Sequence, residues 1–167
     1  MAASRYERRL TMIDRISPAL MIKKEDLEHL RAEWLRVPEW IRAHATIVRP
    51  AHRYEGALTL EDHSLVFQGR DVKERRGFQE VIPMDKITGV SLNLDRHFRG
   101  NPDWFFGLLK LKPLIIHYQT DDGRQTAYLF ADFNRQSGRA AGNQEWYETL
   151  KGYIGGNGHN EKSQSCR

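Results

Sequence analysis

At 167 residues the chain is long enough for one ordinary domain with its own core and too short for two comfortable ones. A hydrophobic fraction of 40% beside 29% charged residues excludes a disordered chain, and no uncharged apolar run approaches the roughly 20 residues that span a bilayer. The net charge of +4 tilts the chain toward anionic partners, but 22 acids scattered among 26 bases make that a bias and not a diagnosis.

The one cysteine, Cys166, leaves no internal disulfide and no Cys-based metal site. The segment Met1–Asp14 is polar and Arg-rich and has no apolar signal core. The expected location is therefore cytoplasmic, with peripheral attachment to a membrane at most.

Met1–Ser17 carries charge without a clean period and reads as a weakly ordered lead-in. A helix is predicted over Lys24–Arg36: Leu27, Leu30, Trp34 and Leu35 share a stripe, Glu25 and Asp26 occupy the first turn, and Pro38 lies just past the end. That stripe packs on the domain or docks a partner. Thr46-Ile47-Val48 predicts a strand within Ala45–Tyr54. Leu58 and Leu60, the turn Glu61-Asp62-His63, and Leu65-Val66-Phe67 then predict a hairpin.

Asp71–Gly77 reads as a charged connection, and Glu80–Pro83 and Ile87–Leu94 as strands. Arg96–Pro113 is a long, strongly apolar insert. Leu114–Gln119 and Arg124–Phe130 form a hairpin around an Asp-Asp-Gly turn. After a Gly- and Ser-rich loop, Asn143–Ile154 is predicted as a helix with Asn143 as N-cap, Trp146, Leu150, Tyr153 and Ile154 buried, and Gly155-Gly156 at its end. The expected layout is an extension over 1–44, a domain over 45–154 and a disordered tail over 155–167.

The residues carry a family resemblance. The hairpin Gly56-Ala-Leu-Thr-Leu-Glu-Asp-His-Ser-Leu-Val-Phe67, the block Val81-Ile-Pro-Met-Asp-Lys-Ile-Thr-Gly-Val90, the segments Leu114-Ile-Ile-His-Tyr118 and Ala127-Tyr-Leu-Phe130, and Trp146 together resemble GRAM and bacterial PH-like domains of the pleckstrin-homology-like superfamily. The resemblance implies a mainly β, α+β fold: a seven-stranded barrel or sandwich capped by a C-terminal helix, here with an added N-terminal helix. It implies a binding module for phosphoinositides, other lipids or protein segments, with no catalysis and no cofactor. The insert Arg96–Pro113 and the helix from Lys24 depart from the minimal family pattern.

Several residues are candidates for contact. Lys73, Arg75 and Arg76 in one loop, and Arg96 and Arg99 in another, could hold an anionic headgroup. Asp71, Glu74 and Asp95 partly neutralise them. In the resembled families the phosphate site involves the connection between the first two strands, read here as Arg49–Tyr54. It supplies Arg49, His52 and Arg53 but lacks a Lys-x-Arg pattern. Trp104, Phe105, Phe106, Leu108 and Leu109 either close the barrel, enter a lipid interface, or contact a partner or a second copy.

Metal and catalysis are not expected. The seven histidines include no i, i+3 or i, i+4 pair, and His117 reads as a structural strand histidine. No nucleophile elbow, phosphate-binding Gly loop or reactive cysteine is present, and the aromatics do not interleave with basic residues as single-strand nucleic-acid binding requires. The function expected is peripheral association with anionic membrane lipid. The alternative is a protein-interaction or homo-oligomer scaffold using the insert and the N-terminal helix.

Overall fold

The computed structural model of the chain describes residues 15–34, 50, 52–93, 112–134 and 139–157. Seven strands form one antiparallel sheet: β1 (Ser17–Lys23), β2 (Tyr54–Glu61), β3 (Ser64–Asp71), β4 (Arg76–Pro83), β5 (Ile87–Leu92), β6 (Leu114–Thr120) and β7 (Gly123–Ala131). Their spatial order is β4-β3-β2-β1-β7-β6-β5, so β1 pairs with both β2 and β7 and the edges are β4 and β5. Helix α1 (Lys24–Trp34) follows β1, a single 3-10 turn (Met84–Lys86) joins β4 to β5, and a two-residue pair, β8 (Phe133–Asn134) with β9 (Arg139–Ala140), precedes helix α2 (Asn143–Asn157).

The sheet is curled. Five strand spacings separate β4 from β6, roughly 24 Å if the sheet were flat. Yet the Tyr118 hydroxyl of β6 lies 2.8 Å from the Glu80 carboxylate of β4. Side chains on the concave face form the main core, including Met21, Leu58, Leu65, Phe67, Ile82, Leu114, Ile116 and Leu129, and α2 covers it with Trp146 and Leu150. The indole N–H of Trp146 donates to Ser17 Oγ at 2.9 Å, so this buried donor fixes α2 to the start of β1. A second cluster sits on the convex face, where Leu27 of α1 meets Ile22, Ile115, Tyr128 and Phe130, with Leu30 packed against them.

Two local features shape the curl. Gly56 and Gly69 face each other across β2 and β3. A Cβ on Gly56 would fall 2.1 Å from the Gln68 carbonyl oxygen, and one on Gly69 2.1 Å from that of Glu55, so neither position admits a side chain. The β2–β3 hairpin turns through Asp62 and His63, both at positive φ (43° and 59°), the pairing a type I′ turn requires.

The mainly β layout with a C-terminal helix agrees with the sequence reading; several boundaries do not. Ser17–Lys23, given no element from sequence, is the central strand, so the sheet begins well before Ala45. The strand hides because it is covered on both faces: Ala19 and Met21 face the concave core and Ile22 the convex cluster, giving a continuous apolar run without alternation. Helix α1 consequently lies in the connection between the first two strands. β4 begins at Arg76 and not at Glu80, and α2 runs through Gly155 and Gly156 to Asn157. The strand predicted around Thr46-Ile47-Val48 and the insert from Arg96 to Leu111 lie outside the described residues.

Candidate functional site

The β1–β2 connection and the β3–β4 turn meet at one end of the curled sheet, and Arg53 stands between them. Its backbone is pinned on both sides: the Arg53 N–H donates to the Met21 carbonyl at 3.0 Å, and the Val72 N–H donates to the Arg53 carbonyl at 2.9 Å. Its guanidinium therefore has a fixed origin. Nε donates to Asp71 Oδ2 at 2.9 Å, Nη2 reaches the same carboxylate at 2.8 Å, and Nη1 donates to Asp26 Oδ1 at 2.5 Å. Glu74 lies farther out, at 3.7 Å.

Asp71 is 2% exposed and does two jobs at once. Its Oδ1 accepts the backbone N–H groups of Lys73 (2.9 Å) and Glu74 (3.0 Å), which builds the β3–β4 turn, while Oδ2 holds Arg53. Burial pushes the Asp71 carboxyl up, but Arg53 and the two N–H donors outweigh it and hold it below the usual carboxylate range. The Asp71 hydrogen bond, supplemented by Asp26, pushes the Arg53 guanidinium above its ordinary value against the pull of burial. Asp26 also accepts the Tyr54 hydroxyl at 2.9 Å; burial first, and then Asp26, raise that phenol, which stays a donor.

Beside this network opens a cleft of about 530 Å³ lined by Ile22, Glu25, Asp26, His29, Leu30, His52, Arg53, Val72 and Lys73. His52 faces an acceptor on each ring nitrogen: the Pro50 carbonyl at 2.8 Å from Nδ1 and the Glu55 carboxylate at 3.1 Å from Nε2. The volume is that of a small-ligand site, and the wall mixes aliphatic with charged groups.

The structure sorts the sequence candidates into three sets. Arg53 and Lys73 line the cleft, and Arg53 is held by carboxylates within the protein. Arg75 and Arg76 are exposed on the adjoining turn, with Arg75 in the left-handed region (φ 56°). Arg49, Arg96, Arg99, Trp104, Phe105, Phe106, Leu108 and Leu109 lie outside the described residues. His117 bonds Thr126 Oγ1 at 2.9 Å between neighbouring strands. Sequence reasoning missed Asp26, which it treated as a first-turn helix acid, and Tyr54. It gave Asp71 and Glu74 the loop cations as partners, whereas Asp71 turns inward to Arg53 and Glu74, half exposed, lies 3.7 Å from the same guanidinium.

Among the described residues, no three His, Cys, Asp or Glu side chains are placed to hold a metal ion, and no helix is long and apolar enough to cross a membrane. Comparison of the chain with protein-family models, with curated proteins and with solved structures finds no match.

Proposed function

We propose that this chain is a non-catalytic binding module of pleckstrin-homology-like, GRAM-like architecture that associates peripherally with an anionic membrane surface. The strand order, with β1 shared between two neighbours and a C-terminal helix over the concave core, supports the architecture. One observation carries the membrane reading: the β3–β4 turn separates its charges. Its buried acid, Asp71, is directed inward at Arg53, and Glu74, half exposed, lies 3.7 Å from the same guanidinium, while Lys73, Arg75 and Arg76 are exposed. The turn thus faces outward as a cationic tip beside the cleft.

Each cation near an anionic surface contributes about 1 kcal/mol, so Lys73, Arg75 and Arg76 together supply roughly 3 kcal/mol, enough for transient binding only. The apolar insert Arg96–Pro113, through Trp104, Phe105, Phe106, Leu108 and Leu109, is the second contact in this reading. The test is co-sedimentation of the full chain with phosphatidylcholine vesicles that contain or lack phosphatidylserine. Binding is expected only with the anionic lipid, falling as salt rises and falling in Arg75→Gly, which removes a charge while relaxing the left-handed backbone. Absent or salt-insensitive binding would refute the reading.

A second reading, a protein partner or a second copy of the chain, is favoured by Val81. This side chain is 52% exposed on the edge strand β4. Among the described residues β4 has no strand on its outer side, and such an edge with an outward apolar residue is a template for another strand. Light scattering across a concentration series separates the two readings, since only self-pairing through β4 raises the mass and only that rise is lost in Val81→Lys.

A further inference from the structure

The two edges of the curled sheet differ in how they are protected. β5 is covered: its Val90 and Leu92 pack with Tyr147, Tyr153 and Ile154 of α2 against the main core. β4 has no strand on its outer side among the described residues, and Gly77, Gln79, Val81 and Pro83 are exposed along it. Charge and proline are the usual guards of such an edge. Here the one charge between Gly77 and Ile82 belongs to Glu80, whose carboxylate is turned inward to Tyr118 and Lys23. Pro83 stands only at the last position of the strand. The outward row through the middle of β4, Gly77, Gln79 and Val81, carries no charge.

The two ends of that edge carry opposite charge. At its start the β3–β4 turn exposes Lys73, Arg75 and Arg76 with one acid, Glu74. At its finish the 3-10 turn exposes Asp85 with one base, Lys86. The β2–β3 turn lies beside it, since the Met84 N–H donates to the His63 carbonyl at 2.9 Å, and adds exposed Glu61 and Asp62. We infer that β4 pairs antiparallel with β4 of a second copy of this chain across a two-fold axis, joining the two sheets edge to edge. Antiparallel pairing sets the positive end of each strand beside the negative end of the other, twice, whereas parallel pairing sets like ends together. Residues directly opposite share a face, so the axis passes through a residue position. An axis at Glu80 would place two carboxylates opposite one another. An axis at Gln79 places two amides there, which can bond each other. That register also lays Val81 against Gly77 of the other copy, where a side chain has open space, and brings the turn carrying Lys73 and Arg75 beside Asp85. The pairing deepens, and rests on, the reading in which Val81 meets a second copy.

Sedimentation equilibrium of the full chain over a concentration series, at about 50 mM and about 500 mM salt, tests the pairing. Wild type is expected to form dimers that weaken about tenfold at the higher salt, because the facing ends attract. Arg75→Glu/Arg76→Glu makes both ends of the edge negative, and Glu61→Lys/Asp85→Lys makes both positive. Each of these double variants alone should dimerise at least about tenfold more weakly, and an equimolar mixture of the two should recover the association. The register is read by Gln79→Cys in a Cys166→Ser background. Oxidation with diamide should link the two copies through position 79, where facing side chains come within reach of a disulfide, and should not link Thr88→Cys on the covered edge β5. A dimer lost in Val81→Lys but indifferent to salt, to both charge variants and to their mixture overturns the inference and leaves the Val81 reading standing. A dimer strengthened by salt, or one that Gln79→Cys fails to cross-link, does the same. A chain that stays monomeric throughout sinks the self-pairing reading and the inference with it.

Discussion

Tyr118 on β6 donates a hydrogen bond to Glu80 on β4 across the gap where the sheet fails to close on itself. Lys23 of β1 completes the bridge, with Nζ 2.7 Å from the other Glu80 oxygen and 5.5 Å from the Phe78 ring. Phe78 in turn stacks on Tyr54 at 3.8 Å between ring centroids. Three strands on different parts of the curl are thus tied by side chains at one end, while α2 covers the core elsewhere. Burial, and then the neighbouring Glu80 charge, push the Tyr118 phenol above its ordinary value, so it stays a donor at any ordinary pH.

The first prediction concerns this bridge. Tyr118→Phe keeps the ring and removes the donor, leaving Glu80 still paired with Lys23. The expected cost is about 1–2 kcal/mol, or a fall in Tm of roughly 2–6 °C for a domain of this size. Lys23→Met should cost a similar amount, and the double variant should depart from the sum, because the two donors hold the two oxygens of one carboxylate and losing both leaves Glu80 without either. Strict additivity in thermal melts would show that the bridge does not act as a unit.

The second prediction concerns the glycine pair. Gly56→Ala or Gly69→Ala would place a methyl group 2.1 Å from a carbonyl oxygen of the paired strand, and the backbone on both sides would have to move. The expected loss is roughly 3 kcal/mol or more for either change. Gly77→Ala is the control, since a Cβ there meets nothing within 4 Å. Equal Tm values for Gly56→Ala and Gly77→Ala would contradict the close approach.

How far these features could be read from sequence depended on the kind of signal each residue leaves. The β2–β3 and β6–β7 hairpins were legible because turn chemistry and alternation are local: Asp62-His63 and Asp121-Asp122-Gly123 mark their own turns. The α2 stripe was legible through Trp146 and Leu150. The central strand β1 was not, because burial on both faces erases alternation. The Arg53 network was illegible for a different reason. Asp26, Arg53 and Asp71 are far apart in the chain and meet only when β1, β2 and β3 are laid side by side. Each has an adequate local explanation (a helix acid, a loop cation, a turn residue) that conceals its long-range partner.

The third prediction follows from Asp71. Arg53 and the Glu74 and Lys73 N–H groups more than offset the upward push of burial, so the folded pKa lies below the unfolded value of about 4. A lowered carboxyl contributes stability that is present above its unfolded pKa and lost as pH falls through the folded one. Asp71→Asn should be less stable than wild type by about 3 kcal/mol at neutral pH, since it leaves Arg53 short of a partner. The gap between the two should narrow as pH drops below about 4. Urea titrations between pH 2 and 7 measure it, and a gap independent of pH would mean that Asp71 is not ionised in the folded protein.

Asn143 yields a prediction with the opposite sign. Sequence assigns it to capping α2, but Asn143 is the first residue of the helix and its side chain reaches three backbone groups outside it. Oδ1 accepts the Ala131 N–H at 2.8 Å, and Nδ2 donates to the carbonyls of Lys112 at 2.9 Å and Leu129 at 3.2 Å. The residue is 4% exposed, so water cannot readily replace those partners. Asn143→Ala should cost roughly 3 kcal/mol, because it leaves buried backbone groups unsatisfied. Asn143→Asp preserves shape and the bond from Ala131 but turns both donors into a carboxylate oxygen facing two carbonyls. That carboxyl can regain one donor only by taking up a proton, which raises its folded pKa above the unfolded value. A raised carboxyl is more stable in the folded state at low pH, and stability falls as pH climbs from about 4 through the folded pKa. Asn143→Asp should therefore match or exceed Asn143→Ala near pH 4 and drop below it at pH 7, the reverse of the Asp71 trend. Melting curves for both variants at the two pH values decide this, and an Asn143→Asp protein as stable at pH 7 as at pH 4 would show that the amide does not face those carbonyls.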